Sequence, residues 1–466
     1  MSLLPEMANQ THGNTSGEVF FCFVFSAIRK PSGHGLISAA PALLKGEKKM
    51  KETTRNALDF ADPGPLPKEL MDVPGFVNGL KEHTMRTAPR PNEVLAFAGA
   101  LAMLAHLSGR ASRDRRGTRT NLYIAALADT GMGKDEPRLV NKRLAEAVGA
   151  PHAVPDSIAS GEGLEDAVAA TPALLLQTDE ADTLFTAMRG TASRASRMNE
   201  MLLRFFTESR GAHAMRQRAG DGTVKVIPEP HLTLLATGIP KFFYRSLSEK
   251  VVENGLLGRC LFFEAETFCP LGEMESESLP AEVLAFARRL CARELVSQES
   301  GTITPALVDE TPKASERLRS VFAFCDEMTQ RLRASDFGTA AALYVRLPEK
   351  LLKLAMLRAI SRNDQNPVMD TPDIDWSAQL ATHLTKKMIY MTQFYVSEGK
   401  FDSLKKRVLA TLSMAGGEMS RSELLRRLHV DSATFQKVIL TLHMCEMIEE
   451  EYVSRNKIIY TLKNAA

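Results

Sequence analysis

The chain has 466 residues, 44% hydrophobic and 24% charged, with a formal net charge of +2. Such values are ordinary for a soluble globular chain of two to four domains, and so small a net charge excludes any argument from bulk charge to a partner. The six cysteines, at 22, 260, 269, 291, 325 and 445, form no C-x-x-C pair, and no apolar run approaches ~18 residues, so neither zinc nor a membrane span is expected, and a reducing cytoplasm is the expected setting.

Residues 1–49 are expected to be a disordered extension or the product of a mis-annotated start, with patterned sequence beginning at Met50. The apolar run Val19–Ile28 follows Glu18 rather than a basic stretch and has no clean small-residue cleavage site, which argues against an export signal. An N-terminal arm and helical segment spans 50–110. Its first part is Pro-rich, then Asn92-Glu93 opens a helix that Gly109 stops. Arg110–Thr120 carries five arginines and one acid, and reads equally as a nucleic-acid contact or as a solvated face.

Asn121–Asp135 reads as a short apolar strand, a tight Gly loop and a helix start. That is the layout of a phosphate-binding P-loop, in which glycines turn backbone N–H groups onto phosphate oxygens. Thr130, Gly131, Gly133, Lys134 and Asp135 are the expected ATP-binding residues, with Lys134 reaching the β/γ-phosphates. The pattern departs from G-x-x-x-x-G-K-[ST] at both ends. Ala128 replaces the first Gly, and Asp135 stands where a hydroxyl normally meets Mg²⁺, so it either ligates the metal or weakens hydrolysis. Ala173–Asp182 is a second apolar strand, ending in Asp179-Glu180. In NTPases of this build the Asp holds Mg²⁺ and the Glu polarises the attacking water. The gap from Lys134 to Asp179 has room for a helix, a further short strand and a second helix.

Residues 198–210 read as a helix, and 212–227 as a β-hairpin across Ala-Gly-Asp-Gly222. His231–Thr237 is a buried-type strand, and Gly255–Arg259 leads into another. Alternating strands and helices predict an α/β sheet core over 111–270. Helical sequence over 271–400 follows as a lid. Residues 187–226 hold eight Arg/Lys against three acids, a local +5 that suits a backbone-tracking groove or, in the blander reading, a solvated helix face. The tail, 401–466, has the order of a winged helix-turn-helix, with Ser420 and Glu423 as a capping box. Its third helix carries only Lys437 and His443 as basic groups, which leaves duplex DNA and protein contact both open.

Over roughly residues 75–400 the order of these segments resembles AAA+ ATPases, and more narrowly the helicase-type ATPases of phages, plasmids and genomic islands, distantly similar to the minichromosome-maintenance helicases. The resemblance implies ATP and Mg²⁺ as cofactors, with Asp179 toward the metal; Asp135, a departure from the family's pattern, is the second candidate metal ligand. It implies Glu180 and Thr237 as the water-polarising residue and the γ-phosphate sensor, Arg259 as an arginine finger offered to a neighbouring subunit, and Arg346 as a second sensor on the lid. It also implies a hairpin that grips single-stranded DNA, where Arg216, Arg218 and Lys225 are the candidate contacts. The expected protein is an ATP-dependent DNA motor forming a homo-oligomeric ring, a helicase or replication protein of a mobile element. The alternative is an ATP-switched initiator or regulator with little motor activity.

Overall fold

The computed structural model describes residues 62–463 apart from 180, 190–192, 218–221, 248–254, 274–276, 300–303, 335–336, 396–399, 445–446 and 455–456. The extension expected at 1–49, Glu180 and Arg218 therefore lie outside the described residues.

Two helices open the fold, Phe76–Thr87 (α1) and Glu93–Leu107 (α2). Asn92 caps α2 by accepting from Leu95 N–H at 3.2 Å. From Leu95 to Leu107 every residue of α2 is buried. A helix apolar all round needs cover on every side, and α2 has it, lying against the strands of the central sheet on one side and other helices on the rest. Gly109 follows α2 because a Cβ there would meet the His231 ring at 2.6 Å.

The core then alternates strand and helix: Tyr123–Ala128 (β1), Asp135–Ala147 (α3), Gly161–Ala170 (α4), Ala173–Thr178 (β2), Ala181–Arg189 (α5), Ser193–Glu208 (α6), Ala212–Ala214 (β3), Val226–Pro228 (β4), His231–Gly238 (β5), Pro240–Ser246 (α7), Leu256–Arg259 (α8) and Cys260–Ala265 (β6). β1, β2, β5 and β6 form a parallel sheet in the order β2–β5–β1–β6. β1 and β5 are buried along their whole length, as a parallel strand covered on both faces must be. The chain leaving β1 passes β5 to reach β2, and the chain leaving β5 passes β1 to reach β6. Oppositely directed connections of this kind open a crevice beyond the carboxyl ends of the strands, where open α/β sheets bind ligands.

The chain has room for a short strand between α3 and α4, and none forms there. Pro151 and Pro155 lack N–H groups there, and toward β2 the segment accepts from Gln177 N–H at Pro155 O, 2.9 Å. The 212–227 hairpin is present, with β3 and β4 antiparallel and Met215 N–H donating to Lys225 O at 2.9 Å.

Five helices follow among the described residues. They are Ala281–Glu299 (α9), Pro312–Ala334 (α10), Gly338–Tyr344 (α11), Leu347–Arg362 (α12) and Thr371–Tyr395 (α13). Arg115 pairs with Asp309 and Arg116 with Glu310 at 2.7 and 2.9 Å, while Arg110 and Arg119 are buried. The Arg110–Arg119 run thus fastens the segment before β1 to the helical region, and four of its five arginines are committed to the fold. The tail forms Lys400–Met414 (α14), Glu418–Ser420 (β7), Arg421–Leu428 (α15), Ser432–Met444 (α16), Ile448–Ser454 (β8) and Lys457–Leu462 (β9), with an antiparallel sheet in the order β7–β9–β8. Val408, Leu424, Phe435, Leu442 and Tyr460 are in its core. Among the described residues no helix is long and apolar enough to cross a membrane.

Two histidines are sealed where α2 meets β5. His231 Nε2 lies 3.0 Å from Ala105 O, and burial lowers the pKa of both rings, His106 to about 4. In the window between that value and 6.5 the unfolded chain binds the proton and the folded chain does not, so stability rises with pH there and is lost on acidification. The stability gap between wild type and His106→Leu should change by roughly 3 kcal/mol between pH 6.5 and pH 4, read by urea denaturation. A gap constant with pH would show that His106 titrates normally.

Candidate functional site

The parallel register brings three strand ends level. Leu127 lies opposite Gly238, and Thr178 opposite Ala236, so Asp179 stands beside Thr237. Thr237 Oγ1 donates to Asp179 Oδ1 at 2.8 Å. Beyond β1 the chain turns through Gly131 and Gly133, whose φ angles of 76° and 83° lie in the left-handed region. A Cβ on Gly133 would sit 2.3 Å from Arg90 O, whereas one on Gly131 meets nothing within 4 Å. Lys134 is the half-buried residue from which α3 starts, with no side chain capping the helix. The first-turn N–H groups of α3 therefore point into the crevice with the positive end of the helix dipole.

Asp135 and Glu136 share the first turn but differ in role. Glu136 is buried and turned back, accepting from Thr87 Oγ1 at 3.0 Å and from Arg143 at 3.1 Å. Asp135 has a side chain 75% exposed and pairs with Arg138 Nη2 at 2.7 Å. The same nitrogen lies 3.5 Å from Asp179 Oδ2. The structure thus gathers Thr130, Gly131, Gly133, Lys134, Asp135, Asp179 and Thr237 at one edge, and adds Arg138. Sequence reading missed Arg138, though its signal was available: it is three residues beyond Asp135, on the same helix face.

Arg259 and Arg346 are not part of this group. Arg259 precedes Cys260, which pairs with Tyr123 at the amino end of β1. The Gly131–Lys134 turn lies past the carboxyl end of that strand, roughly 17 Å away at strand rise. Arg259 Nη1 donates to Gly255 O at 2.9 Å, and its guanidinium stands over Phe206. Burial, and then the nearby Arg346, lower the Arg259 pKa. Arg346 starts α12 and pairs with Glu349 at 3.6 Å. On the same helix Lys353 reaches Asn121 O and Oδ1 at 3.0 and 2.8 Å, and burial brings its pKa to about 8.

The nucleic-acid candidates divide. Arg216 is tied into α4: its Nη1 bonds to Glu162 O at 3.0 Å and to Glu165, and its Nη2 reaches Asp166 at 2.7 Å. Glu165 also meets His213 Nε2 at 2.8 Å. Burial alone would raise the Glu165 carboxyl, but the His213 and Arg216 bonds bring it below the usual range. Arg197 and Arg204 pair with Glu200 and Glu208 along their own helix. Lys225 is exposed, between the exposed side chains of Val224 and Val226. The local excess of positive charge read from 187–226 is therefore partly spent inside the fold.

No family model matches the chain, and comparison with curated proteins finds no match.

Two substitution series test this geometry. Gly133→Ala combines a left-handed φ with a backbone collision and should destabilise by roughly 1–3 kcal/mol, while Gly131→Ala, with open space, should sit at about 1 kcal/mol; equal losses in chemical denaturation would refute the Arg90 contact. Arg216→Ala should cost about 3 kcal/mol because it leaves the buried Glu165 short of its cation. Lys225→Ala should leave the melting temperature unchanged, and a large drop there would count against its exposure.

Proposed function

We propose that this chain is an ATP-hydrolysing DNA motor of the ring-forming helicase type that its motifs resemble, with the nucleotide held at the carboxyl edge of the sheet. The observation that carries the reading is the Asp179–Thr237 pair standing level with the Gly131–Lys134 turn at a helix start, a constellation suited to a triphosphate and its metal. The residues fit those groups. Two left-handed glycines turn the backbone, Lys134 supplies a cation, and Asp135 and Asp179 are hard oxygen ligands of the kind Mg²⁺ takes. Among the described residues no cluster of three or more His, Cys, Asp or Glu could hold a metal by itself. A Mg²⁺ here would complete its shell with phosphate and water, and would screen the charge between the β- and γ-phosphates.

The chain's own residues then have separate tasks. Lys134 balances phosphate charge, and Thr237 orients Asp179 by its hydrogen bond. Glu180 is assigned to the attacking water by the resemblance. Arg259 lies at the opposite edge from its own P-loop segment, which supports its use on a neighbouring copy's nucleotide and hence a closed ring of copies. The tail reads as a winged helix. Leu440 and Met444 are exposed on α16, and Glu449 and Glu451 on β8, a surface better suited to a protein contact than to phosphate. The alternative, an ATP-switched initiator or regulator, draws support from the ion-paired state of Arg197, Arg204 and Arg216, which leaves the hairpin with Lys225 as its exposed described cation.

ATPase measurements with and without single-stranded DNA separate the two. A motor should turn over faster with DNA; binding without turnover favours the switch. Lys134→Ala should abolish nucleotide binding, and undiminished affinity would sink the P-loop assignment. Arg259→Ala should lose about 10³-fold or more in turnover and regain part of it when mixed with Lys134→Ala protein, through sites that pair an intact loop with an intact arginine.

A further inference from the structure

We propose that Arg138 is a built-in counter-ion that competes with Mg²⁺ for Asp135 and Asp179, so that the metal requirement of this site is set by displacing one arginine; the inference rests on the nucleotide reading above. One nitrogen, Arg138 Nη2, contacts both carboxylates, at 2.7 Å and 3.5 Å. The other Asp179 oxygen, Oδ1, is taken by Thr237. A cation approaching Asp179 therefore meets an oxygen that already carries a guanidinium, and sharing it would set two cations on one atom.

The arrangement has a reason in the sequence. A hydroxyl at position 135 would add no charge beside the phosphates, whereas Asp135 adds a full negative charge next to Asp179. Together with a triphosphate these two carboxylates repel strongly, and a neighbouring cation is needed even before metal arrives. Arg138 is held ready for it. Its side chain is only 15% exposed, and its backbone O accepts from Gln177 Nε2 at 3.0 Å, which anchors its turn of α3 against β2. Its Nε is buried with no hydrogen-bond partner among the described residues. The guanidinium is thus desolvated on one side and faces the two carboxylates through Nη2 on the other.

The two charge states make opposite demands. Without metal, Arg138 lets the phosphates enter by neutralising the carboxylates. With metal, Arg138 must give up the oxygens that Mg²⁺ takes. Removing it should move two measurements in opposite directions, which loss of a merely structural salt bridge would not do.

The test uses the full chain and a non-hydrolysable ATP analogue, with binding followed by calorimetry in EDTA and across a Mg²⁺ titration. Arg138→Gln should bind the analogue about fivefold more weakly in EDTA, and should need about fivefold less Mg²⁺ for half-maximal binding. Arg138→Lys should fall between wild type and Arg138→Gln. Asp135→Asn, at an exposed position, keeps the test open if the arginine variants do not fold: it should strengthen binding in EDTA and raise the Mg²⁺ needed, since one repelling charge and one metal ligand leave together. Arg138 variants that shift neither measurement, or both in the same direction, overturn the inference and leave the nucleotide reading standing, as does an Asp135→Asn variant that behaves as wild type. Wild-type protein that binds no analogue with or without Mg²⁺ overturns both.

Discussion

A Cβ on Gly99 would lie 2.6 Å from the Pro137 ring, so α2 and α3 meet with almost nothing between them. Asn141 locks that approach, donating to Gly99 O at 3.2 Å and to Gln177 Oε1 at 3.0 Å, while Gln177 returns a bond to Arg138 O. These side chains are buried, and their polar groups are satisfied by one another, so the junction of α2, α3 and β2 has little freedom. The start of α3, and with it Lys134, Asp135 and Arg138, takes its position from this junction. On the other side Arg90 O presses against Gly133 and allows only a glycine there. The rest of the candidate site depends on this pairing of a close helix contact with a buried amide bridge.

Charge is distributed over the molecule by edge rather than by net sum. The carboxyl edge of the sheet has Asp135, Asp179 and Lys134 around a helix start. The amino edge has Arg259, Arg346 and Lys353, with Glu349 as a shared acid. A sheet strand is long enough to keep the two groups apart in one copy. The same logic separates internal from available arginines. Arg115, Arg116, Arg119 and Arg216 each face an acid from a distant part of the chain, and their value is to the fold. Lys225 faces solvent.

Much of this was legible from sequence because local pattern is enough to specify it. The apolar runs Tyr123–Ala128 and His231–Gly238 form strands buried on both faces of a parallel sheet, as short continuous apolar runs can. The helix cap at Asn92, the cap at Ser420 and the hairpin over 212–227 also follow from residues close together in the chain. So does the turn at Gly131-Met-Gly133, whose left-handed backbone is what two such glycines allow. The short strand for which the chain has room between α3 and α4 is absent for an equally local reason: Pro151 and Pro155 offer no donors there.

Other features depended on which distant segments meet. Arginines read in sequence as a run of positive charge can be assigned to a partner or to the fold only once their acids are known, and Glu165, Asp309 and Glu310 lie far from Arg216, Arg115 and Arg116 in the chain. Arg138 was an ordinary helix residue until the docking of α3 on β2, through Asn141 and Gln177, brought Asp179 to its tip. Arg259 was expected at a neighbouring copy's nucleotide and Arg346 as a second sensor on the lid, and the order β2–β5–β1–β6 sets both at the other end of the strands from Lys134. Sequence determined the elements, their caps and the glycine turn, since these are governed by backbone preference and apolar period within a few residues. The tertiary structure alone decided which charges neutralise one another and which edge each occupies, because electrostatic pairing depends on distance in space.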